Sequence, residues 1–166
     1  DVERVGTWGA SRGGMMSYLA ARQAPELGYG FKALVAEATP TDMVAEYKLR
    51  PDMERVFSTW IPGFDENPEE VLAARSALLW AEALPEDLPI LIQHGAKDQR
   101  VSVDSARKMA ARLEELGRPH KLMIYEEGGH NLRGQLDMEA REAVIEWFKQ
   151  YLGEAANCSS DREACQ

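Results

Sequence analysis

The sequence is poor in cysteine and histidine, the residues that build disulfide frameworks and most zinc sites. Its 166 residues include two cysteines and three histidines. Cys158 and Cys165 both lie in the polar segment 154–166, where we favour reduced surface thiols over a local pair. The histidines stand apart in the chain, one per predicted loop or strand end, so we expect no metal cluster. Nothing in the composition or motifs calls for a cofactor.

Excess positive charge and long apolar runs are also lacking. The formal net charge is -9 and the pI is near 4.9, which argues against a nucleic acid or an anionic membrane as partner. No apolar segment approaches the length that crosses a bilayer. The given sequence shows no signal peptide, although it begins at Asp1 rather than at a methionine, and the expectation is a cytoplasmic protein.

Short apolar runs alternate with helical periodicity along most of the chain. Hydrophobic residues make up 45%, which suits one globular domain with a sizeable core. Alternation of this kind predicts an α/β fold, a parallel sheet with helices on both faces. The predicted strands are Glu3–Trp8, Phe31–Ala36, Pro89–His94 and His120–Tyr125. The first predicted helix ends at Ala24. The others span Asp42–Lys48, Pro68–Ala74, Ser76–Ala83, Val103–Leu116 and Gln135–Leu152.

A Gly-x-Ser-x-Gly pattern, Gly9–Gly13, stands between the first predicted strand and the first predicted helix. Strand, tight turn and helix form the context of a nucleophile elbow, with Ser11 at its tip. We expect a side chain at Gly9 or Gly13 to collide with backbone, and the Arg12 N–H to donate to an oxyanion. The alternative interpretation is a glycine-rich turn with an incidental serine.

Three chemically matched residues follow three of the predicted strands. Ser11 follows the first, Asp98 the third and His130 the fourth. The carboxyl ends of parallel strands share one edge of the sheet, and the order serine, acid, histidine is that of an α/β-hydrolase triad. Taken singly, His130 could be a solvated loop residue and Asp98 a turn residue. Neither reading explains why all three occur in this order.

Several stretches resemble the prolyl oligopeptidase family of serine peptidases, which includes dipeptidyl and acylaminoacyl peptidases. The matching stretches are Gly9–Met16, Arg75–Ala81, Pro89–Val101 and Glu127–His130. The resemblance implies an α/β-hydrolase fold and identifies Asp98 as the triad acid, since Gln99 stands where the family often has a second aspartate.

The same resemblance implies substrate-binding roles for two further residues. Arg100 would hydrogen-bond a substrate carbonyl next to the scissile residue, and Val101 would line the specificity pocket. A surface arginine and a core valine are the alternatives, and His94 is interpreted as structural. We also consider an apolar pocket formed by residues of the segment between the second and third strands, or simply a core cluster. Its candidates are Met43, Tyr47, Phe57 and Trp60.

Strands before the elbow, a second oxyanion donor and a β-propeller precede this region in the family. We therefore expect residues 1–153 to be the carboxyl-terminal portion of an α/β-hydrolase domain, with 154–166 a disordered tail. The first strand would lie at an open edge, covered by an upstream half or by a second copy.

The predicted function is a serine hydrolase that cleaves short peptides through an acyl-enzyme on Ser11. The alternatives are a carboxylesterase acting on small acyl esters, or a catalytically incomplete fragment that acts as an assembly module.

Overall fold

The strands of the chain form one parallel sheet in a computed structural model that describes residues 4–153. The predicted tail 154–166, with both cysteines, lies outside the described residues. Within them the sheet has four strands in the order β1-β2-β3-β4. Their bounds are Gly6–Ala10 (β1), Ala33–Glu37 (β2), Ile90–Gly95 (β3) and His120–Tyr125 (β4). The predicted parallel sheet is confirmed, and so are the bounds of the fourth strand.

The helices were predicted closely, with one exception. Their bounds are Arg12–Gln23 (α1), Met43–Leu49 (α2), Glu54–Trp60 (α3), Pro68–Ala73 (α4), Val103–Glu115 (α5) and Gln135–Leu152 (α6). Short 3-10 helices span Ala24–Leu27, Pro51–Met53 and Ala77–Ala83. The sequence reading missed α3. The sequence predicts a break at Pro51, whereas this proline occupies the first position of a 3-10 helix, where a proline needs no N–H partner.

The sheet is covered by helices on both faces, as predicted. On one face, Tyr18 of α1 and Met109 of α5 pack with Ile90 of β3. On the other face, Trp147 of α6 packs against Val35 of β2. Because β2 and β3 are covered from both sides, their side chains are almost all buried, which accounts for their continuous apolar character.

The first strand begins later than predicted, at Gly6 rather than at Glu3, which lies outside the described residues. Its register pairs Gly6 with Ala33 and Ala10 with Glu37, so the strand runs up to the elbow itself. Among the described strands, β1 pairs with β2 alone and forms an edge of the sheet. Trp8 on this strand is 46% exposed.

The segment between β2 and β3 forms a small helical layer above the amino-terminal end of α1. Met15 of α1 packs there with Met43, Phe64 and Leu72. The side chain of Asp42 caps α2 by accepting a hydrogen bond from the Ala45 N–H at 3.0 Å. This layer stands beside the elbow and supplies one wall of the cleft that contains Ser11.

The described residues contain neither a membrane-crossing helix nor a metal cluster. Among residues 4–153, no helix combines the length and the apolar character that a membrane crossing requires. In the same part of the chain, no three His, Cys, Asp or Glu side chains are grouped so that they could hold a metal ion.

Candidate active site

Ser11 occupies a strained turn between β1 and α1. Its backbone has φ 53° and ψ -121°, a positive φ that L residues rarely adopt and that costs of order 1–3 kcal/mol. The Ser11 N–H donates to the Glu37 carbonyl at 2.7 Å, and the Ser11 carbonyl accepts from the Gly14 N–H at 3.1 Å. These bonds hold the serine at the tip of the turn, in the geometry expected of a nucleophile elbow.

The two glycines that make this turn possible are Gly9 and Gly14. A Cβ at Gly9 would lie 2.2 Å from the Gly13 carbonyl carbon, and one at Gly14 would lie 1.8 Å from Thr39 Oγ1. The expectation of a collision at Gly13 is wrong, since a Cβ there would meet nothing within 4 Å. Gly13 is exposed. Its carbonyl group faces Gly9, whereas the position of a Cβ on Gly13 faces open space.

His130 links Ser11 to Asp98 through both ring nitrogens. The distance from His130 Nε2 to Ser11 Oγ is 3.1 Å, and that from His130 Nδ1 to Asp98 Oδ2 is 2.8 Å. A carboxylate can only accept, so Nδ1 carries the proton and Nε2 is left to accept the serine hydroxyl. The structure thus brings together the three residues that the sequence singled out as nucleophile, acid and base.

The Asp98 carboxylate accepts hydrogen bonds at both of its oxygens. Oδ1 accepts from the N–H groups of Arg100 at 2.8 Å and Val101 at 3.0 Å. Burial raises the pKa of this carboxyl, but these two N–H donors and His130 outweigh it and hold the pKa below its ordinary value. Asp98 therefore stays ionised at neutral pH. The stability that the ionised carboxylate contributes to the folded chain is lost only as the pH falls through that lowered pKa.

His94 contacts the candidate acid, Asp98. The sequence alone indicates only a structural role for His94. Its side chain is fully buried, and Nε2 lies 3.1 Å from both the Val101 carbonyl oxygen and Asp98 Oδ2. Both partners accept, so Nε2 carries the proton. Burial lowers the pKa of His94, which keeps the ring neutral. The four-residue spacing from His94 to Asp98 across Gly95 was the signal that could have revealed this contact.

The loop that carries His130 lies directly against the end of β3. A Cβ at Gly95 would stand 2.4 Å from the carbonyl oxygens of both Gly128 and Gly129. The Lys97 N–H donates to the Gly128 carbonyl at 2.8 Å, which ties this loop to the one that carries Asp98. Close backbone approach is therefore what Gly95 and Gly128 provide, since a Cβ at Gly128 would lie 3.1 Å from the Gly95 Cα. A Cβ at Gly129 would have only the Lys97 carbonyl oxygen near it, at 4.0 Å.

A cleft of about 660 Å³ opens beside Ser11 and His130. The helical layer contributes apolar side chains to its wall, while Met15 and Met16 of α1 add further apolar surface. Other residues that line the cleft are Met43, Met53, Val56, Phe57, Trp60, Ile61, Arg12, Arg50, Arg75, Arg100, Val101 and Glu46. Its size and mostly apolar lining suit a peptide side chain or a small acyl group.

The residues predicted to bind substrate fall into two groups. Arg100 and Val101 both line the cleft, and Val101 is 7% exposed. Of the four apolar candidates from the helical layer, Met43, Phe57 and Trp60 also line it. Tyr47 does not. Its ring packs at 5.9 Å from Phe57 and at 5.5 Å from Phe64, within the core of the layer.

Glu46 is the carboxylate of the cleft that sequence reasoning missed. It is buried at 9% exposure, and its Oε1 accepts from the Ser105 hydroxyl at 3.0 Å. Burial raises its pKa above the ordinary value, partly offset by that hydroxyl and by the Ser102 backbone. A glutamate on α2 offers no local signal, because its burial depends on α5 packing from a distant part of the chain.

We expect replacement of Glu46 by glutamine to raise the melting temperature at pH above neutrality. A carboxyl whose pKa is raised in the fold destabilises the native state once it ionises. Wild-type stability therefore falls as the pH rises from the ordinary pKa of glutamate through the raised pKa of Glu46. Glutamine keeps an acceptor for Ser105 and does not titrate. The gain should vanish below the ordinary pKa of glutamate, about 4.3. Thermal unfolding across pH measures it.

Exposed Glu142 on α6 provides the matched control, because its change to glutamine removes the same charge without relieving burial. Its melting temperature should follow the wild type at every pH. A Glu46→Gln variant less stable than the wild type above neutrality would contradict the expectation and show that the ionised carboxylate is stabilised by its partners.

The arrangement can support acyl transfer. Ser11 Oγ can lose its proton to His130, and the Arg12 N–H, at the first position of α1, has no intrahelical acceptor. An N–H in that place can donate to the negative oxygen of a tetrahedral intermediate formed on Ser11.

The chain is similar in sequence to known peptidases. The family model for the prolyl oligopeptidase family matches residues 1–155. The uncharacterized peptidase YtmA of Bacillus subtilis (strain 168) is 26% identical over 147 residues, which are 89% of this chain and 55% of that protein.

Solved structures show the same architecture. The uncomplexed acylaminoacyl peptidase of Pyrococcus horikoshii is 25% identical, with a TM-score of 0.77 over 95% of this chain and 25% of its own. A puromycin-hydrolyzing peptidase of Mycobacterium tuberculosis, 24% identical, superposes with a TM-score of 0.81 over 93% of this chain and 23% of its own. The predicted α/β-hydrolase fold is confirmed. The chain spans about half or less of the length of these proteins.

Proposed function

The chain belongs to the prolyl oligopeptidase family, and on that premise we propose that it carries the catalytic centre of a serine peptidase with Ser11 as nucleophile. The observation that carries the proposal is the chain of hydrogen bonds from Ser11 through His130 to Asp98, at 3.1 Å and 2.8 Å. A serine in a strained turn, hydrogen-bonded to a histidine that is oriented by a buried carboxylate, has the arrangement that nucleophilic catalysis requires.

In the first half of the proposed reaction, Ser11 Oγ attacks the scissile carbonyl carbon while its proton moves to His130 Nε2. The carbonyl oxygen becomes negative and accepts from the Arg12 N–H. Asp98 stabilises the imidazolium that forms. His130 then donates the proton to the leaving amine, the carbon–nitrogen bond breaks, and an acyl-enzyme remains on Ser11.

In the second half, water attacks the acyl carbon and gives a proton to His130. The second tetrahedral intermediate collapses, the carboxylic acid product departs, and the proton returns to Ser11 Oγ. The Ser11 hydroxyl and the neutral His130 ring are thereby regenerated, and the net change is the addition of one water across the scissile carbon–nitrogen bond.

Short peptides are the proposed substrates. The apolar lining of the cleft suits an uncharged side chain next to the scissile bond, with Val101 against it. The Arg100 side chain lines the same cleft and is proposed to donate to a substrate carbonyl. Support for a peptide substrate comes from the relatives, since YtmA and the Pyrococcus protein are both named peptidases.

Labelling with a neutral fluorophosphonate tests the proposed nucleophile. The Ser11 oxygen should displace fluoride and form one phosphonyl adduct, located by intact mass and peptide mapping. The Ser11→Ala variant should show no adduct, while a Ser58→Ala variant, on an exposed serine of α3, should label as the wild type does. Folded protein that does not label would contradict the proposal and favour the alternative of an incomplete unit that assembles with another chain.

An esterase is the second candidate within the same chemistry, because a Ser–His–Asp arrangement cleaves esters and amides alike. Turnover of an aminoacyl arylamide and of a short acyl ester separates the two activities. Both are measured on unmodified protein from a preparation shown to react with the fluorophosphonate. We expect measurable turnover of both. Brisk ester cleavage with undetectable amide cleavage would overturn the peptidase proposal and leave the hydrolase in place.

A further inference from the structure

The cleft beside Ser11 has the opposite charge balance from the rest of the protein. The whole chain carries a formal charge of -9. Its cleft, however, is lined by four arginines and a single carboxylate, Glu46. The arginines are Arg12, Arg50, Arg75 and Arg100. Because a cleft concentrates the field of the charges that line it, this site should draw in an anionic group from solution.

Two of the arginines already have protein partners. Arg50 donates through Nε to Asp52 at 2.9 Å and through Nη1 to the Arg100 carbonyl oxygen at 3.2 Å. Arg75 donates to the Val71 carbonyl oxygen at 2.8 Å. These contacts fix the two side chains as parts of the wall. Arg100 is assigned above to a substrate carbonyl, so it is Arg12 that the proposed mechanism leaves without a use for its side chain.

The Arg12 side chain is exposed and, among residues 4–153, its guanidinium makes no hydrogen bond and no ion pair. It directly follows Ser11, whose Cα is about 3.8 Å away along the chain. Arg12 lines the cleft, so its side chain is anchored beside the reacting hydroxyl. A planar guanidinium with free donors is the side chain best suited to bind a carboxylate through two parallel hydrogen bonds.

We infer that the Arg12 side chain binds a carboxylate of the substrate that lies within one or two residues of the scissile bond. The inference rests on the proposed function of Ser11 and names the class of peptide that the site prefers. A carboxyl-terminal carboxylate and an acidic side chain share this chemistry. The backbone N–H and the guanidinium of Arg12 would then act on different parts of the substrate. The N–H would donate to the oxyanion and the guanidinium to the carboxylate.

Equilibrium binding to the Ser11→Ala protein tests the inference without turnover. The probes are fluorescent tetrapeptides of one sequence, with a free carboxyl terminus or a terminal amide, and a second amidated pair with aspartate or asparagine next to the terminus. Fluorescence anisotropy gives each Kd. We expect one carboxylate probe to bind about fivefold more tightly than its neutral partner, and this preference to shrink at high salt.

Added substitutions assign the preference to one side chain. Arg12→Gln should abolish it, whereas Arg12→Lys should keep part of it, because the charge remains and the two-pronged geometry is lost. Arg107→Gln on α5 removes the same charge from an exposed arginine that does not line the cleft, and it should leave the preference unchanged. A response in the pair with a free or amidated terminus assigns the carboxylate to the carboxyl terminus of the peptide. A response in the aspartate and asparagine pair assigns it to an acidic side chain.

Equal Kd values within both pairs would overturn the inference, whatever the labelling of Ser11 shows. A preference that survives in Arg12→Gln would overturn its assignment to Arg12. Failure of the wild-type protein to label with the fluorophosphonate would instead overturn the proposed function, and it would leave the binding measurement readable because no probe in it needs to be cleaved.

Discussion

Replacement of Asp98 by asparagine should slow acylation of Ser11 by about 10⁴-fold while the chain stays folded. The asparagine oxygen can still accept from the backbone N–H groups that Asp98 Oδ1 now satisfies. Its NH2 group then faces His130 Nδ1, which must accept instead of donate. That exchange places the imidazole proton on Nε2, where it faces the Ser11 oxygen. The base is thereby held in the tautomer that cannot take the serine proton.

The second-order rate constant for fluorophosphonate labelling at neutral pH measures this effect directly. Asp104→Asn, on an exposed aspartate in the first turn of α5, is the matched control and should label at the wild-type rate. Circular dichroism verifies that both variants are folded. A loss of less than about tenfold for the folded Asp98→Asn protein would remove the carboxylate from the role proposed for it.

Introduction of alanine at Gly9 should slow labelling of Ser11 by about 10²-fold, whereas alanine at Gly13 should leave the site in place. At Gly9 the new Cβ would lie 2.2 Å from the carbonyl carbon of Gly13, and backbone cannot move aside as a flexible side chain can. The start of α1 must shift, and with it Ser11 and the Arg12 N–H. Overpacking of this kind costs about 1–3 kcal/mol, and displacement of a nucleophile by about 1 Å can cost about 10² in rate.

Gly13→Ala differs from Gly9→Ala by four positions in the chain and adds the same methyl group. Its Cβ would meet nothing within 4 Å, and Gly13 lies in the first turn of α1, where alanine is the better helix former by up to about 1 kcal/mol. Thermal unfolding and the labelling rate should therefore separate the two variants. Equal losses at the two positions would contradict the packing that distinguishes them.

How far the sequence predicted the fold differs from element to element. The bounds of β4 and α6 agree with the prediction, because β-branched, long apolar and helical-period residues there are delimited by Pro119, Gly134 and Gly153. The prediction of β1 began too early, since the start of a strand depends on what it pairs with. Helix α3 was missed because Val56 and Trp60 are 41% and 70% exposed, so its apolar residues follow the cleft rather than a buried stripe.

The candidate site divides in the same way. Ser11, Asp98 and His130 could be selected from residue type, from the turns around them and from their order after successive strands. The burial of Glu46 against Ser105 could not be predicted, because it depends on side chains that meet only in the folded chain. The contact of His94 with Asp98 did have a local signal, their four-residue spacing. The crowded glycines were also decided by packing, which selected Gly9 and Gly14 and left Gly13 free.

The sequence by itself determined the alternation of strands and helices, the turn that strains Ser11, and the choice of Asp98 and His130 as candidate acid and base, because each is encoded in a short stretch of residue types. The tertiary structure alone decided the distances. Ser11 and His130 are separated by 119 positions and follow β1 and β4, which are not neighbours in the sheet. They meet at 3.1 Å because all four parallel strands end at one edge of the sheet and the loop after β4 is held against the end of β3. It likewise decided the charge of the cleft, since the arginines that line it come from separate segments and meet only when the helical layer packs on α1.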